Sequence, residues 1–173
     1  MFADTLHIYT EGSKEFGYGH VMRCVALAKS AEEHAMQPVF ITRHKSTQQI
    51  LSTMNVNWVE IRTQIPHWLI HDSAAVNARG IVREEIDEGK GVLLMDDKGE
   101  ARCEASIVVD AMMTKEREQS LTVGADTQYA YGLKYTPLRP EIQVCCDNIK
   151  STVAIDKERY KAGSLVIALG QGF

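Results

Sequence analysis

Six short apolar runs constrain the fold of this chain more than any other feature of its sequence. They occupy residues 6–9, 38–41, 68–70, 92–95, 107–109 and 165–168. Runs of this length without polar alternation are typical of strands that are buried on both faces, as in a parallel sheet. Helical patterns lie between them, at residues 20–36, 46–54 and 73–88, with a short one after Leu138. This alternation predicts a doubly wound α/β domain.

The domain boundary is predicted near the end of the chain. A length of 173 residues is close to one ordinary domain. Residues 147–163 form a polar stretch with little apolar periodicity, and one further strand pattern follows it at residues 165–168. We therefore expect one domain over residues 1–160, and a linker with the first strand of a truncated second domain over residues 161–173.

Charge and composition exclude several classes of protein. The 19 basic and 23 acidic residues give a net charge of −4, which argues against a general nucleic-acid binder. No apolar run approaches the roughly 18 residues that a transmembrane helix needs. The first residues lack the basic and apolar pattern of a signal peptide. We expect a cytoplasmic protein that binds neither nucleic acid nor membrane.

The cysteines and histidines do not predict a metal site. None of the four cysteines (Cys24, Cys103, Cys145 and Cys146) belongs to a C-x-x-C pair, and we expect reduced thiols that act as small apolar residues. His67 and His71 are four residues apart on a predicted strand, which separates them by about 13 Å. That distance is too long for one ion, and no cofactor is predicted.

Polar residues follow the predicted strands at the edge where parallel sheets bind ligands. Ser13, Asp72, Asp96 and Asp110 are all at such positions. The carboxylates of the three aspartates are expected to converge on one rim of the sheet. Serine and aspartate are also common helix caps and turn residues, so this second interpretation stays open for each of them.

The segment between the first strand and the first helix contains the strongest chemical pattern. Gly17 and Gly19 allow a sharp turn or the close approach of a ligand, and His20 follows at the helix start. The positive end of the helix dipole favours a neutral imidazole there, which can accept a proton. Arg23 lies one turn later on the same side. This pair suits an anionic, phosphate-bearing substrate, although a glycine loop with a capping histidine would give the same pattern.

Residues 17–28, GYGHVMRCVALA, resemble the I-G-x-G-H-x-x-R-x-x-x-L-A segment of UDP-2,4-diacetamido-2,4,6-trideoxy-β-L-altropyranose hydrolases. These enzymes act in pseudaminic acid synthesis, and spore coat polysaccharide biosynthesis proteins are related to them. Residues 95–97, 105–110 and 165–170 resemble later strands of that family. Residues 131–142 are similar to its G-x-x-Y-x-x-L-R-x-E-F segment. The resemblance covers nearly the whole chain.

The resemblance implies a Rossmann-like parallel sheet with flanking helices, the N-terminal half of a glycosyltransferase-B type architecture. It implies hydrolysis of a UDP-sugar at the sugar C–O bond, without metal, with His20 as the catalytic residue. The implied substrate-binding residues are Ser13, Gly17, Tyr18, Gly19, Arg23, Asp72, Asp96, Tyr135 and Arg139. The second domain, which would hold uridine and diphosphate, is expected to be missing from this chain, so residues 1–173 alone are expected to be inactive.

The chain departs from the family pattern at several positions. Tyr9 and Glu11 stand where the family has the arginine and aspartate of R-x-D-x-S, and Ala74 stands where it has a tyrosine. Two alternatives to the hydrolase therefore remain open. One is a glycosyltransferase of the same architecture, in which a sugar or lipid hydroxyl replaces water. The other is a non-catalytic sugar-nucleotide-binding fragment.

Overall fold

The computed structural model of the protein describes residues 4–15, 17–62, 66–72, 79–111 and 122–139, together with residues 142 and 144. Seven strands form one sheet, and every pair of neighbouring strands is parallel. The strands are β1 (Asp4–Thr10), β2 (Met36–Ile41), β3 (Trp58–Val59), β4 (Trp68–Asp72), β5 (Gly91–Met95), β6 (Ile107–Asp110) and β7 (Gln128–Tyr131). Their order across the sheet is β3-β2-β1-β4-β5-β6-β7.

Among the described residues, three α-helices flank this sheet. They are α1 (Gly19–Glu33), α2 (Lys45–Thr53) and α3 (Arg79–Asp87), and two short 3-10 helices follow at Glu100–Cys103 and Leu133–Tyr135. The direction in which strands are added to the sheet reverses between β1 and β4. β2 and β3 extend the sheet on one side of β1, and β4 to β7 extend it on the other side. Such a switch point opens a crevice beyond the carboxyl ends of the two strands, where ligands of this fold bind.

Side chains alternate between two apolar layers, one on each face of the sheet. Leu6, Ile8, Phe40 and Ile70 pack with α1 and α2 on the first face, which we call the α1 face. Leu69, Val92 and Leu94 pack with Val82 of α3 on the opposite face, the α3 face. Both faces of the central strands are thus buried, which explains why those strands are apolar without alternation.

The predicted α/β class is confirmed: the described residues form a Rossmann-like parallel sheet with flanking helices. Five of the six predicted strands and the helices at residues 20–36 and 46–54 correspond to β1, β2, β4, β5, β6, α1 and α2. The predicted helix at 73–88 is observed as α3, and its first six residues lie outside the described residues. The predicted linker at 147–163, the strand at 165–168 and the domain division near residue 160 also lie outside them.

Two edge strands were not predicted. β3 contains only Trp58 and Val59, which is too short to produce a periodic pattern. β7 has the sequence QYAY, and none of its four side chains is fully buried. An edge strand covers less of the core than a central one, so its apolar pattern is weak. Among the described residues, no helix is both long and apolar enough to cross a membrane.

Leu94 tests the packing of the α3 face. Its side chain is fully buried, so Leu94→Ala should lower the free energy of unfolding by about 2–5 kcal/mol. Leu133→Ala is the matched control, because Leu133 is 72% exposed, and it should change stability by no more than about 0.5 kcal/mol. Urea unfolding followed by circular dichroism measures both. Equal effects of the two substitutions would contradict the described core.

Candidate functional site

The loop between β1 and α1 is held in a tight turn. Ser13 and Gly17 form an isolated antiparallel bridge, and the Ser13 hydroxyl accepts a hydrogen bond from the Glu15 amide at 3.2 Å. Gly17 has a φ of +78°, a conformation that residues with a Cβ rarely adopt. The predicted turn is therefore confirmed at Gly17. α1 begins at Gly19 and places His20 in its first turn, as predicted.

Gly12 is a close-packing position that the sequence pattern did not single out. A Cβ at this residue would lie 2.7 Å from a methyl carbon of Val21. The absence of a side chain lets the end of β1 approach the first turn of α1. The Gly12 amide also donates to the Thr47 hydroxyl at 3.0 Å, which ties the loop to α2.

His20, Arg23 and Asp72 form one polar cluster beneath this loop, on the α1 face. Nδ1 of His20 lies 2.6 Å from Oδ1 of Asp72. The Arg23 guanidinium donates to both oxygens of the same carboxylate, through Nε and Nη2. His20 and Arg23 are three residues apart on α1, whereas Asp72 ends β4, the strand next to β1. The switch point of the sheet therefore brings them together.

The His20–Asp72 contact determines which ring nitrogen of His20 is free. A carboxylate only accepts hydrogen bonds, so Nδ1 must carry the proton that it donates to Asp72. Nη2 of Arg23 lies 3.1 Å from the same Nδ1. Both nitrogens are donors, so they do not bond each other. Each donates to Asp72, which holds the guanidinium beside the ring. In the neutral ring, Nε2 is therefore the nitrogen that carries the lone pair. A quarter of the His20 side chain is exposed, so a ligand or water can reach the ring.

Asp72 is the buried centre of the cluster. Its side chain has no exposed surface. Burial alone would raise the pKa of Asp72, but hydrogen bonds from Arg23 and His20 outweigh it and hold the pKa below its usual value. Burial likewise opposes the charge of Arg23, and the two carboxylates that bind it raise its pKa overall. Asp72 and Arg23 therefore remain ionised as a pair.

Asp96 completes the cluster from the next strand. It follows β5 with a φ of +49°, and its Oδ2 accepts a hydrogen bond from Nη1 of Arg23. Its other oxygen accepts from the Ala111 amide at 3.1 Å, just after β6. Asp96 thereby joins α1 to the ends of β5 and β6. The positive φ is a strained conformation that these contacts stabilise.

Cys24 lies against the cluster from the apolar side. Its sulfur is 3.5 Å from Oδ2 of Asp72, and the residue is fully buried. Burial, followed by the charge of Asp72, raises the pKa of the Cys24 thiol well above its usual value. The thiol therefore stays protonated and can donate weakly to Asp72. The predicted reduced, buried thiol is confirmed for Cys24, whereas Cys103 is free but exposed; Cys145 and Cys146 lie outside the described residues.

The remaining predicted residues occupy different places. Tyr18 is half-buried and immediately precedes α1. Tyr135 and Arg139 are exposed and follow β7, two strands away from β5. Among the described contacts, neither is bonded to His20, Arg23, Asp72 or Asp96. The structure thus groups four of the ten predicted site residues into one cluster, with Ser13, Gly17, Tyr18 and Gly19 in the loop above it.

Asp110, the other acidic strand end, has a structural role. Its carboxylate forms a bidentate ion pair with Arg102 at 3.0 and 2.8 Å, and both residues are buried. Arg102 also donates to the Asp97 carbonyl at 2.6 Å and stacks over the Tyr129 ring. This network joins the ends of β6 and β7 to the 3-10 helix at Glu100–Cys103. Asp110 is therefore not available to a ligand.

Within the described residues, no group of three or more histidine, cysteine, aspartate or glutamate side chains is arranged to hold a metal ion. Comparison of the chain with models of known protein families found no match, and comparison with curated proteins found none either.

Asp72→Asn tests the electrostatics of the cluster. Removing one partner of a buried ion pair typically costs about 3–5 kcal/mol, so the variant should be less stable by that amount at pH 7. Because the pKa of Asp72 is lowered in the folded state, its stabilisation is present above the unfolded pKa and disappears as the pH falls through the folded pKa. The difference between the two proteins should therefore shrink below about pH 4.

Urea unfolding between pH 7 and the lowest pH at which the protein remains folded measures this difference. Asp87→Asn is the control, because Asp87 is exposed on α3, and it should change stability by no more than about 0.5 kcal/mol at any pH. A stability difference for Asp72→Asn that does not depend on pH would contradict an ionised, stabilised carboxylate.

Proposed function

We propose that this protein acts in the hydrolysis of a nucleotide-activated sugar, releasing UDP from an activated amino-deoxy sugar by C–O cleavage. The observation that supports the proposal is the Asp72–His20 contact at the start of α1, which makes Nε2 the acceptor nitrogen of the neutral His20 ring. The resemblance of residues 17–28 supplies the class of substrate. The expected cytoplasmic location and the role in polysaccharide or pseudaminic acid synthesis belong to the same proposal.

In the proposed step, Nε2 of His20 accepts a proton from water. The water oxygen forms a bond to the anomeric carbon, the bond from that carbon to the phosphate oxygen breaks, and UDP leaves with the electron pair. Asp72 stabilises the imidazolium that forms, as the buried aspartate does in serine hydrolases. General base catalysis of this kind contributes about 10²–10⁴-fold to a rate.

Arg23 has a positioning role in this proposal. The sequence pattern suggested that its charge would attract a phosphate, but its guanidinium is already bound by Asp72 and Asp96. With His20 neutral, two carboxylates and one guanidinium give the cluster a net charge of −1. That charge disfavours a diphosphate directly beside Arg23. The arrangement is compatible with a sugar in this half of the site, and with diphosphate contacts from residues of the proposed second domain.

The substitution His20→Asn in the protein expressed from its complete reading frame tests the proposal. With a panel of UDP-amino-deoxy sugars as substrates, kcat for UDP release should fall at least tenfold with little change in KM. His34→Asn is the matched control, because His34 directly follows the same helix at its other end and is exposed. It should leave kcat unchanged.

Two results would contradict the hydrolase, and a third would contradict only the role of His20. UDP release that requires an added sugar or lipid acceptor would identify a glycosyltransferase. UDP-sugar binding without any turnover would identify a non-catalytic binding protein. A kcat unaffected by His20→Asn would remove His20 from the mechanism.

A further inference from the structure

The α3 face contains a cavity that the proposed hydrolysis does not use. Its volume is about 410 Å³, within the range of roughly 300–1,000 Å³ that is typical of small-ligand sites. Ile41, Tyr9 and His71 form its floor, as one row across β2, β1 and β4. α3 and the segment after β3 form its walls.

The sheet separates this cavity from the cluster around His20. Consecutive residues of a strand point to opposite faces. His71 therefore points to the α3 face, whereas Asp72, the next residue, points to the α1 face. None of His20, Arg23, Asp72 and Asp96 lines the cavity.

α3 covers β5 rather than β1, since Val82 packs on Val92 and Leu94. The cavity lies between α3 and residues 60–62, which follow β3.

His71 is the feature of this cavity that points to a ligand. It is 2% exposed, lies on the cavity wall, and has no hydrogen-bond partner among the described residues. Burial, its largest influence, lowers the pKa of His71, so the neutral ring offers one donor and one acceptor. Buried polar groups are nearly always hydrogen-bonded, so an unpartnered imidazole on a cavity wall indicates a place for a ligand.

The charge of the lining indicates which kind of ligand fits. Four carboxylates and two guanidiniums line the cavity: Glu11, Glu60, Glu84, Glu85, Arg43 and Arg62. Arg62 is bound to Glu85, and Lys90, which lies 3.2 Å from the same carboxylate, is also paired with Glu88, so these two cations are balanced by two carboxylates. This leaves three carboxylates against Arg43. Because no three ligating side chains in the described residues converge on a metal-ion position, the excess negative charge suits an extended organic cation.

We propose that this cavity binds a small organic amine, whose ammonium groups donate to Glu60 and Glu84 and to the acceptor nitrogen of His71. The site is independent of the proposed hydrolysis. Tyr9, Ile41 and Ile81 supply the surface against which the carbon chain of the amine packs. Glu60 and Glu84 are exposed, so they contact the ligand at the mouth of the cavity, whereas His71 contacts it at the floor.

Putrescine, a four-carbon diamine, is the probe for this site, and NMR titration of the ¹⁵N-labelled chain measures its binding. Saturable shifts of Tyr9, Ile41 and the His71 ring are expected, with a Kd at or below about 1 mM. 1,4-Butanediol has the same length without charge and should bind at least tenfold more weakly. Succinate has the opposite charge and should cause no saturable shift. Equal binding of the diol, or stronger binding of succinate, would overturn the proposal.

Charge-removing variants locate the site. Glu84→Gln and Glu60→Gln should each weaken putrescine binding by about two- to fivefold, which is the typical effect of one partly exposed ion pair. Glu33→Gln removes the same charge from exposed α1, and His20→Asn changes the other face; neither should alter the Kd. Because Glu60 and Glu84 are exposed, their variants should fold normally. Unchanged putrescine binding in both of them would overturn the proposal.

Discussion

The buried carboxylate of Asp72 is the constraint on which the polar cluster at the switch point of the sheet depends. A charge with no exposed surface is costly unless hydrogen bonds replace the water it has lost. Here Arg23 donates to both of its oxygens and His20 donates to one. Because both donors lie on α1 and the acceptor lies on β4, the ion pair determines where α1 packs on the sheet. The orientation of His20 then follows from the same contact.

This arrangement links stability and chemistry in one group of atoms. The hydrogen bond that satisfies Asp72 also places a proton on Nδ1 of His20, so a structural requirement determines the tautomer of the neutral ring, the one that the proposed general base catalysis needs. Arg23 is shared between Asp72 and Asp96, which joins β4 and β5 at the rim. As a result, the charge of Arg23 is neutralised by the two carboxylates. A site of this kind orients a neutral base well and attracts anions poorly, so a phosphate-bearing ligand requires donors from elsewhere.

The sequence predicts the individual strands and helices better than it predicts which of them lie side by side. The buried central strands are apolar over their whole length, so the runs at 92–95 and 107–109 identify β5 and β6. The glycines before His20 likewise identify the start of α1. No local pattern records that β4 lies beside β1, and without that fact the pairing of Asp72 with His20 cannot be derived. Arg23 illustrates the same limit, because its interpretation as a phosphate ligand changes once two carboxylates are found beside it.

The end of β4 shows how one strand can serve both faces of the sheet. His71 and Asp72 are consecutive, 2% and 0% exposed, and their side chains point in opposite directions. Two buried polar residues in succession are unfavourable for a strand that otherwise belongs to the apolar core. Asp72 is stabilised by hydrogen bonds from His20, Arg23 and Cys24 of α1. His71 has no partner in the described residues, and burial lowers its pKa and favours the neutral ring. A slip of β4 by one residue would place each group on the wrong face, so the Asp72 ion pair also fixes the register that directs His71 toward the cavity.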